Sequence, residues 1–239
     1  MTTARLLDFE RLEAIPATAF QTAEPYPWLN PEGLLTNEAF ERLRTQMPAL
    51  EVMKQSFGRR RAHGQSPHDR YALEYRSDLP VADVWHQFVA ELEGPIYQAW
   101  LARLFGNDDF QLSYHWHYTP RGCSVSPHCD SKRKLGSHIF YFNTAEDWDP
   151  DWGGETLILD DGGRFSRKSA PDFDDFERVW PADALGNRSL LFYRRGDSWH
   201  GVKPLACPEG RLRKVFIVVI NAQNLTSRLL RMIHRPAGM

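Results

Sequence analysis

The stretch Leu112-Ser113-Tyr114-His115-Trp116-His117-Tyr118 decides how this chain is read. Large apolar or aromatic side chains alternate with smaller polar ones. A period of two belongs to a β-strand, whose successive side chains point to opposite faces. Five further runs downstream have the same character: Val125–Asp130, Ser137–Asn143, Glu155–Leu159, Ser189–Tyr193 and Arg213–Asn221. Each is short, rich in aromatic or β-branched residues, and bounded by Gly, Pro, Asp or Asn. Many short strands with no helices between them predict an antiparallel barrel or sandwich of the jelly-roll kind. The polar segment from Asp160 to Asn187 carries Gly162-Gly163 and the acidic Asp172, Asp174 and Asp175, and reads as a long insertion between strands.

Upstream of residue 108 the period is helical. Thr36 or Asn37 caps a helix through about Arg44, with Phe40, Leu43 and Met47 on one face. Pro80 opens a second helix, with Val81, Val84, Trp85, Phe88, Val89 and Leu92 at three-to-four spacing, and Gly94-Pro95 breaks it. A third runs through Phe105 with Ile96, Ala99, Trp100, Leu101 and Leu104 as its buried stripe. A basic helix is expected from Leu225 to about His234, with Arg228, Arg231 and Arg235 on a solvated face. The expected organisation is one domain over 1–239. It comprises a mostly helical region (1–108) packed outside, a jelly-roll core (109–222) and a C-terminal helix (223–239).

Composition narrows the function. Of the 239 residues 42% are hydrophobic, which excludes a wholly disordered chain. The longest apolar runs, such as Val215 to Ile220, fall far short of the ~20 residues of a membrane span. Met1 to Glu10 is mixed and polar, so no secretory leader is expected. A formal net charge of −2 argues against a globally basic nucleic-acid binder. Cys123, Cys129 and Cys207 cannot all pair within the chain and lack CxxC spacing; a reduced, cytoplasmic protein is expected.

The sharpest chemical feature is Pro127-His128-Cys129-Asp130. In a strand, residues i and i+2 share a face, so His128 and Asp130 can reach one ion while Cys129 points away. An HxD pair taken alone is equally compatible with a hydrogen-bonded structural histidine. A third ligand is offered by Gly196-Asp197-Ser198-Trp199-His200-Gly201-Val202, just after the strand Ser189–Tyr193. Two histidines and one carboxylate on one side of an ion leave its other positions open, which suits ferrous iron taking a co-substrate and oxygen together. In the following strand, Arg213 shares a face with Val215, Ile217 and Val219, while Lys214 points the other way. A cation on an apolar face is costly to bury unless an anion meets it, and a guanidinium grips a carboxylate by two prongs. Arg211 has the same parity, and a solvated strand start accounts for these cations equally well.

Taken in order, these residues resemble a family: the 2-oxoglutarate- and Fe(II)-dependent dioxygenases, in their prolyl-hydroxylase branch. Tyr118-Thr119-Pro120-Arg121-Gly122 followed by Pro127-His128-Cys129-Asp130 is similar to the family's turn into HxD. Ile139-Phe140-Tyr141-Phe142-Asn143 resembles the next strand. Asp147-Trp148-Asp149 with Trp152-Gly153-Gly154-Glu155-Thr156-Leu157 resembles the turn and strand after it. Ser198-Trp199-His200-Gly201-Val202 resembles the distal histidine motif. The resemblance implies a double-stranded β-helix, with His128, Asp130 and His200 as catalytic iron ligands. It implies that Arg213 pairs with the distal carboxylate of 2-oxoglutarate, that Tyr141 donates its phenol to the same carboxylate, and that Tyr118 orients the co-substrate beside the metal. Fe(II), 2-oxoglutarate and O2 would then hydroxylate an unactivated C–H bond. Related halogenases replace the carboxylate of HxD with a small residue, so Asp130 favours hydroxylation.

The substrate expectation is a prolyl residue in a protein or peptide, or alternatively a free amino acid or other small molecule. A non-catalytic jelly-roll binding module is the reading from another class. His115 and His117 have ligand spacing, but no neighbouring carboxylate or Cys completes a site, which suits a surface or packing role. Cys129 is expected buried and inert, and Arg59-Arg60-Arg61 reads as a solvated basic loop able to meet an acidic or extended substrate.

Overall fold

The computed structural model describes residues 4–223. In chain order its elements are α1 (Phe9–Ala14), α2 (Ala17–Gln21), β1 (Trp28–Leu29), α3 (Asn37–Thr45), β2 (Lys54–Ser56), β3 (Arg70–Glu74), α4 (Asp83–Leu92), α5 (Pro95–Phe105), β4 (Phe110–Pro120), β5 (Val125–His128), β6 (Lys134–Tyr141), β7 (Thr156–Asp160), β8 (Arg178–Ala182), β9 (Ser189–Tyr193), β10 (Trp199–Val202) and β11 (Leu212–Ala222). The helix expected at Leu225–His234, with Arg228, Arg231 and Arg235, lies outside the described residues.

Two antiparallel sheets form the jelly roll. The larger has the order β1-β9-β6-β11-β4-β3-β2 and the smaller β5-β10-β7-β8. β11 lies between β4 and β6 and sets the two faces: Phe216 stands opposite Trp116 and Phe140, and Arg213 opposite Thr119. Its even side chains, Phe216, Val218 and Ile220, are buried with Tyr114 and Trp116 beneath the helices, against Trp85 and Phe88 of α4 and Leu101 of α5. Its odd side chains Val215 and Ile217 face the smaller sheet with Ile139, Ile158 and Phe192. The helices thus cover the outside of the large sheet, and the space between the sheets is left for chemistry.

Local sequence explains the helices. Thr36 caps α3 by accepting from the Ala39 N–H. Gly106, in the left-handed region at φ 64°, ends α5. Two expectations shift here. α4 begins at Asp83 rather than Pro80, because Ala82 is still extended; the first-turn carboxylate of Asp83 suits the positive helix start. The buried stripe of α5 is Tyr97, Trp100, Leu101 and Leu104, whereas Ile96 is 38% exposed and Ala99 also faces outward. Trp100, Leu101 and Leu104 are buried as expected, and Tyr97 joins them, its hydroxyl bonded to Nδ1 of the buried His138 on β6 at 2.8 Å.

Two further corrections concern strands. The region before residue 108, expected mostly helical, also supplies strands outside that expectation: β3 pairs with β4, Tyr71 standing opposite Tyr118, and β1 pairs with β9. The segment 160–187 is not all insertion, since β8 pairs with β7 along five residues. Among the described residues no helix is long and apolar enough to cross a membrane.

Candidate metal centre

β5 and β10 are neighbours in the small sheet, and His200 stands directly opposite His128. The two strands thereby bring together residues 72 positions apart in sequence. Asp130 follows just past the end of β5. One donor atom from each of His128, Asp130 and His200 lies within 4.8 Å of the others, and this is the one such group of metal-binding type among the described residues. The imidazole rings of His128 and His200 are 4.4 Å apart, and His128 Nε2 is 4.0 Å from Asp130 Oδ1.

The hydrogen bonds present the right atoms. His128 Nδ1 bonds the Ser126 carbonyl and His200 Nδ1 the Ser198 carbonyl, both at 3.0 Å. A carbonyl only accepts, so each Nδ1 carries the proton and each Nε2 keeps its lone pair. Burial, with mutual repulsion at His128, holds both imidazoles below their ordinary range, neutral as a metal requires. Burial pushes the Asp130 carboxyl up, but Lys134, His200 and His128 outweigh it and hold it below its ordinary value. Its Oδ1 accepts from Lys134 Nζ at 3.0 Å, while Oδ2 is buried without a partner. Two lone-pair nitrogens and a carboxylate with an unpartnered oxygen, gathered within 4.8 Å, fit a divalent iron.

This centre opens on a cavity of about 200 Å³ between the sheets. Ile139, Phe192, Val215, Ile217 and Val219 form its apolar wall. Arg213 lines it too, 7% exposed, and its guanidinium is held from behind. Nε donates to the Gly154 carbonyl and Nη2 to Thr156 Oγ1 at 3.2 Å. Gly154 sits at φ 107°, and a Cβ there would lie 3.3 Å from Arg213 Cδ, so the Gly-Gly turn is what lets the carbonyl close on the guanidinium. Among the described residues Arg213 forms no ion pair.

The other sequence candidates fall in different places. Tyr141 is fully buried beside Arg213, and its hydroxyl donates to Thr156 Oγ1 at 2.9 Å. Arg211 is exposed and outside the cavity lining, which leaves Arg213 as the anchor candidate. Lys214 points outward toward the Tyr118 ring, as parity demands. Tyr118 is not brought to the metal centre. It lies on the helix-side face of β4 with Tyr114 and Trp116, and its hydroxyl donates to the Pro48 carbonyl at 2.8 Å. His117, on the opposite face of the same strand, does line the cavity, where it accepts a long 3.4 Å bond from Arg70 Nε. Cys129 packs against the cluster of Leu157, Leu159, Phe176 and Trp199, away from the ligands, and burial pushes its thiol up to about 12. Thr156, Lys134, His68 and Arg70 also line the cavity. No motif marks Lys134, His68 or Arg70; Thr156 lies in the Gly153-Gly154 motif, and the two-residue parity of its strand was the available signal for its role.

Residues 112–219 match the sequence model of the 2OG-Fe(II) oxygenase superfamily. That match spans 108 of the 239 residues, from within β4 to within β11. It supports an Fe(II)- and 2-oxoglutarate-dependent dioxygenase that uses O2. None of the curated proteins matches the chain. Among solved structures, a Pseudomonas putida prolyl-4-hydroxylase is 15% identical with a TM-score of 0.61, over 87% of this chain and 98% of that one. A Trichoplax adhaerens prolyl hydroxylase, solved with a hypoxia inducible factor oxygen degradation domain peptide fragment, is 14% identical with a TM-score of 0.64, over 95% and 94%. The carbocyclase SnoK from nogalamycin biosynthesis, described as non-heme and alpha ketoglutarate dependent, is 10% identical with a TM-score of 0.60, over 92% of each chain. At such identities the likeness shows a shared fold.

Proposed function

We propose that this dioxygenase hydroxylates an unactivated C–H bond, with His128, Asp130 and His200 holding the iron and Arg213 receiving the distal carboxylate of 2-oxoglutarate. The observation that carries the reading is the convergence of three donor atoms at the mouth of a cavity that also holds a buried, carboxylate-free guanidinium. Iron bound there would supply the oxidising chemistry, one atom of O2 entering succinate as 2-oxoglutarate loses CO2 and the other entering the substrate C–H bond as a hydroxyl.

The protein's own part is geometry and electrostatics. The Gly154 carbonyl and Thr156 hydroxyl fix the plane of the Arg213 guanidinium, leaving other N–H groups to meet a carboxylate by two prongs. Thr156 Oγ1 already accepts from both Arg213 and Tyr141, so its own proton is free to be donated to that carboxylate. In this reading Tyr141 acts through Thr156 rather than touching the co-substrate. Lys134 pairs with Oδ1 of Asp130 and leaves Oδ2 without a protein partner. The apolar wall of Val215, Ile217 and Phe192 keeps water away from the reacting carbon.

The prolyl-hydroxylase likenesses support a prolyl residue in a protein or peptide as substrate. A free amino acid or other small molecule is the second reading, favoured by the charge of the cavity argued below. We assign the described residues to one domain, because the helices bury the outer face of the sheet that carries Arg213. The test is succinate formation from 2-oxoglutarate. It is expected to require ferrous iron and to be lost in His128→Ala and Asp130→Ala. Unchanged turnover in both variants, or a non-catalytic binding module's lack of turnover with peptides and free acids alike, overturns the proposal.

A further inference from the structure

The cavity carries more positive charge than the proposed reaction uses. Four cationic side chains line it, Arg61, Arg70, Lys134 and Arg213, against a single carboxylate, Asp130. Loading iron and 2-oxoglutarate adds two positive and two negative charges and leaves the excess where it was. Lys134 is taken by Asp130, and Arg213 is poised for the co-substrate. Arg61 and Arg70 remain.

Neither forms an ion pair among the described residues. Arg70 enters from β3, one strand beyond β4, and its guanidinium is positioned as deliberately as that of Arg213. Nη1 donates to the His68 carbonyl at 2.7 Å and Nε to His117 Nε2 at 3.4 Å, which leaves Nη2 for a ligand. The His68 ring lies edge-on to His128, 4.6 Å away, so Arg70 is held on the His128 side of the metal centre. The nearby Asp69 carboxylate accepts instead from the Gly58 N–H. Arg61 is half-buried, with one 3.4 Å bond to Gln65. Burial, with each other's charge at Arg70, pushes both guanidinium groups below their ordinary value. Unpaired guanidinium groups at a desolvated cavity are costly unless an anion meets them.

We propose that Arg70, assisted by Arg61, forms a second anion subsite that takes a carboxylate of the primary substrate, making that substrate a small carboxylic acid of the amino-acid class rather than an internal residue of a protein. The planar fork suits a carboxylate. The cavity, at about 200 Å³, is below the ~300–1,000 Å³ common for ligand pockets, so little room remains within it beside the co-substrate. The inference rests on the hydroxylase reading above, and the experiment separates the two.

Protein loaded with Mn(II) and 2-oxoglutarate is screened by saturation-transfer NMR against the free L-amino acids and, in parallel, their C-terminal amides. Calorimetry then measures 2-oxoglutarate and the best acid on wild type, Arg70→Gln, Arg70→Lys and Arg61→Gln. The expected result is an acid that binds at least about tenfold tighter than its amide. Arg70→Gln should weaken that acid about tenfold or more, Arg70→Lys and Arg61→Gln less, with 2-oxoglutarate affinity changed less than about twofold. The two milder variants carry the test if Arg70→Gln does not fold. The subsite is overturned if no acid binds, if amides bind as well as acids, or if the variants weaken 2-oxoglutarate and spare the acid. Failure of wild type to bind 2-oxoglutarate at all sinks the hydroxylase reading instead.

Discussion

An imidazole that commits its Nδ1 proton to its own strand has one nitrogen left to offer, and His128 and His200 both do so two residues back, at Ser126 and Ser198. That pattern is local and repeats because i and i−2 are neighbours in an extended chain. It is also why HxD parity lets His128 and Asp130 converge, although the strand stops before Asp130. Parity likewise put Arg213 inside and Lys214 outside. It equally set Tyr118 opposite His117, so the co-substrate role carried to Tyr118 by resemblance conflicts with the alternation of its own strand. The anchor makes a graded prediction for 2-oxoglutarate affinity, read by calorimetry on Mn(II)-loaded protein. Removing Arg213 leaves a buried carboxylate unpaired and should cost ~2–5 kcal/mol. Thr156→Val should cost about 1 kcal/mol, the worth of an ordinary hydrogen bond. Tyr141→Phe should cost less than Thr156→Val, because its hydroxyl reaches Oγ1 and not the ligand. A larger loss in Tyr141→Phe would place the phenol on the carboxylate directly.

Elements were legible where their period was uninterrupted and hidden where they were short. β4 and β11, eleven residues each, declare themselves through alternation. β3 and β8 have five residues each, with Pro181 inside β8 and Arg70 opening β3, and neither alternates cleanly. What makes them strands is the partner edge each finds, β4 for one and β7 for the other, which is long-range information. The missed β3 is the costlier loss, since it brings Arg70 into the cavity. The seam between α5 and β6 was also invisible, and it carries a pH prediction. His138 is fully buried between Tyr97, Trp100 and Phe140, and burial pushes its imidazole down to about 3 from 6.5. The folded state therefore binds fewer protons than the unfolded state between those values. Stability is present above the unfolded value and is lost as pH falls below it. Between about pH 7 and pH 5 this group alone should remove on the order of 2 kcal/mol. His138→Gln, which can still bond the Tyr97 hydroxyl, should lose that much less over the same interval in urea unfolding. Equal losses in the two proteins would show that His138 is not the group responsible.

At the scale of the molecule, the sheets divide labour. The outer face of the large sheet is closed by α4 and α5 through the largest aromatic cluster, Trp85, Phe88, Trp116, Phe140 and Phe216. The space between the sheets keeps polar and charged side chains that cost stability until ligands arrive: Arg213 from the large sheet, His128 and His200 from the small one, and Asp130 just past β5, all buried. Folding of the scaffold and binding at the site are thereby coupled, and anything that binds the folded state alone raises its melting temperature. At one hundred times its dissociation constant, a ligand adds about 2.7 kcal/mol, which in a chain of this size is a rise of roughly 5–10 °C. Mn(II) should raise the melting temperature of wild type by this order, and 2-oxoglutarate should add a second step once the metal is present. Arg213→Ala should keep the first step and lose the second. His128→Ala should lose both, since without the metal the keto-acid end of 2-oxoglutarate has nothing to bind. Because the ligands relieve the repulsion and desolvation of an otherwise uncompensated interior, both variants without ligand should melt at or above the wild-type temperature, not far below it. A His128→Ala protein that retains the metal step would place the ion elsewhere, and an Arg213→Ala protein that retains the second step would move the co-substrate anchor to another cation of the cavity.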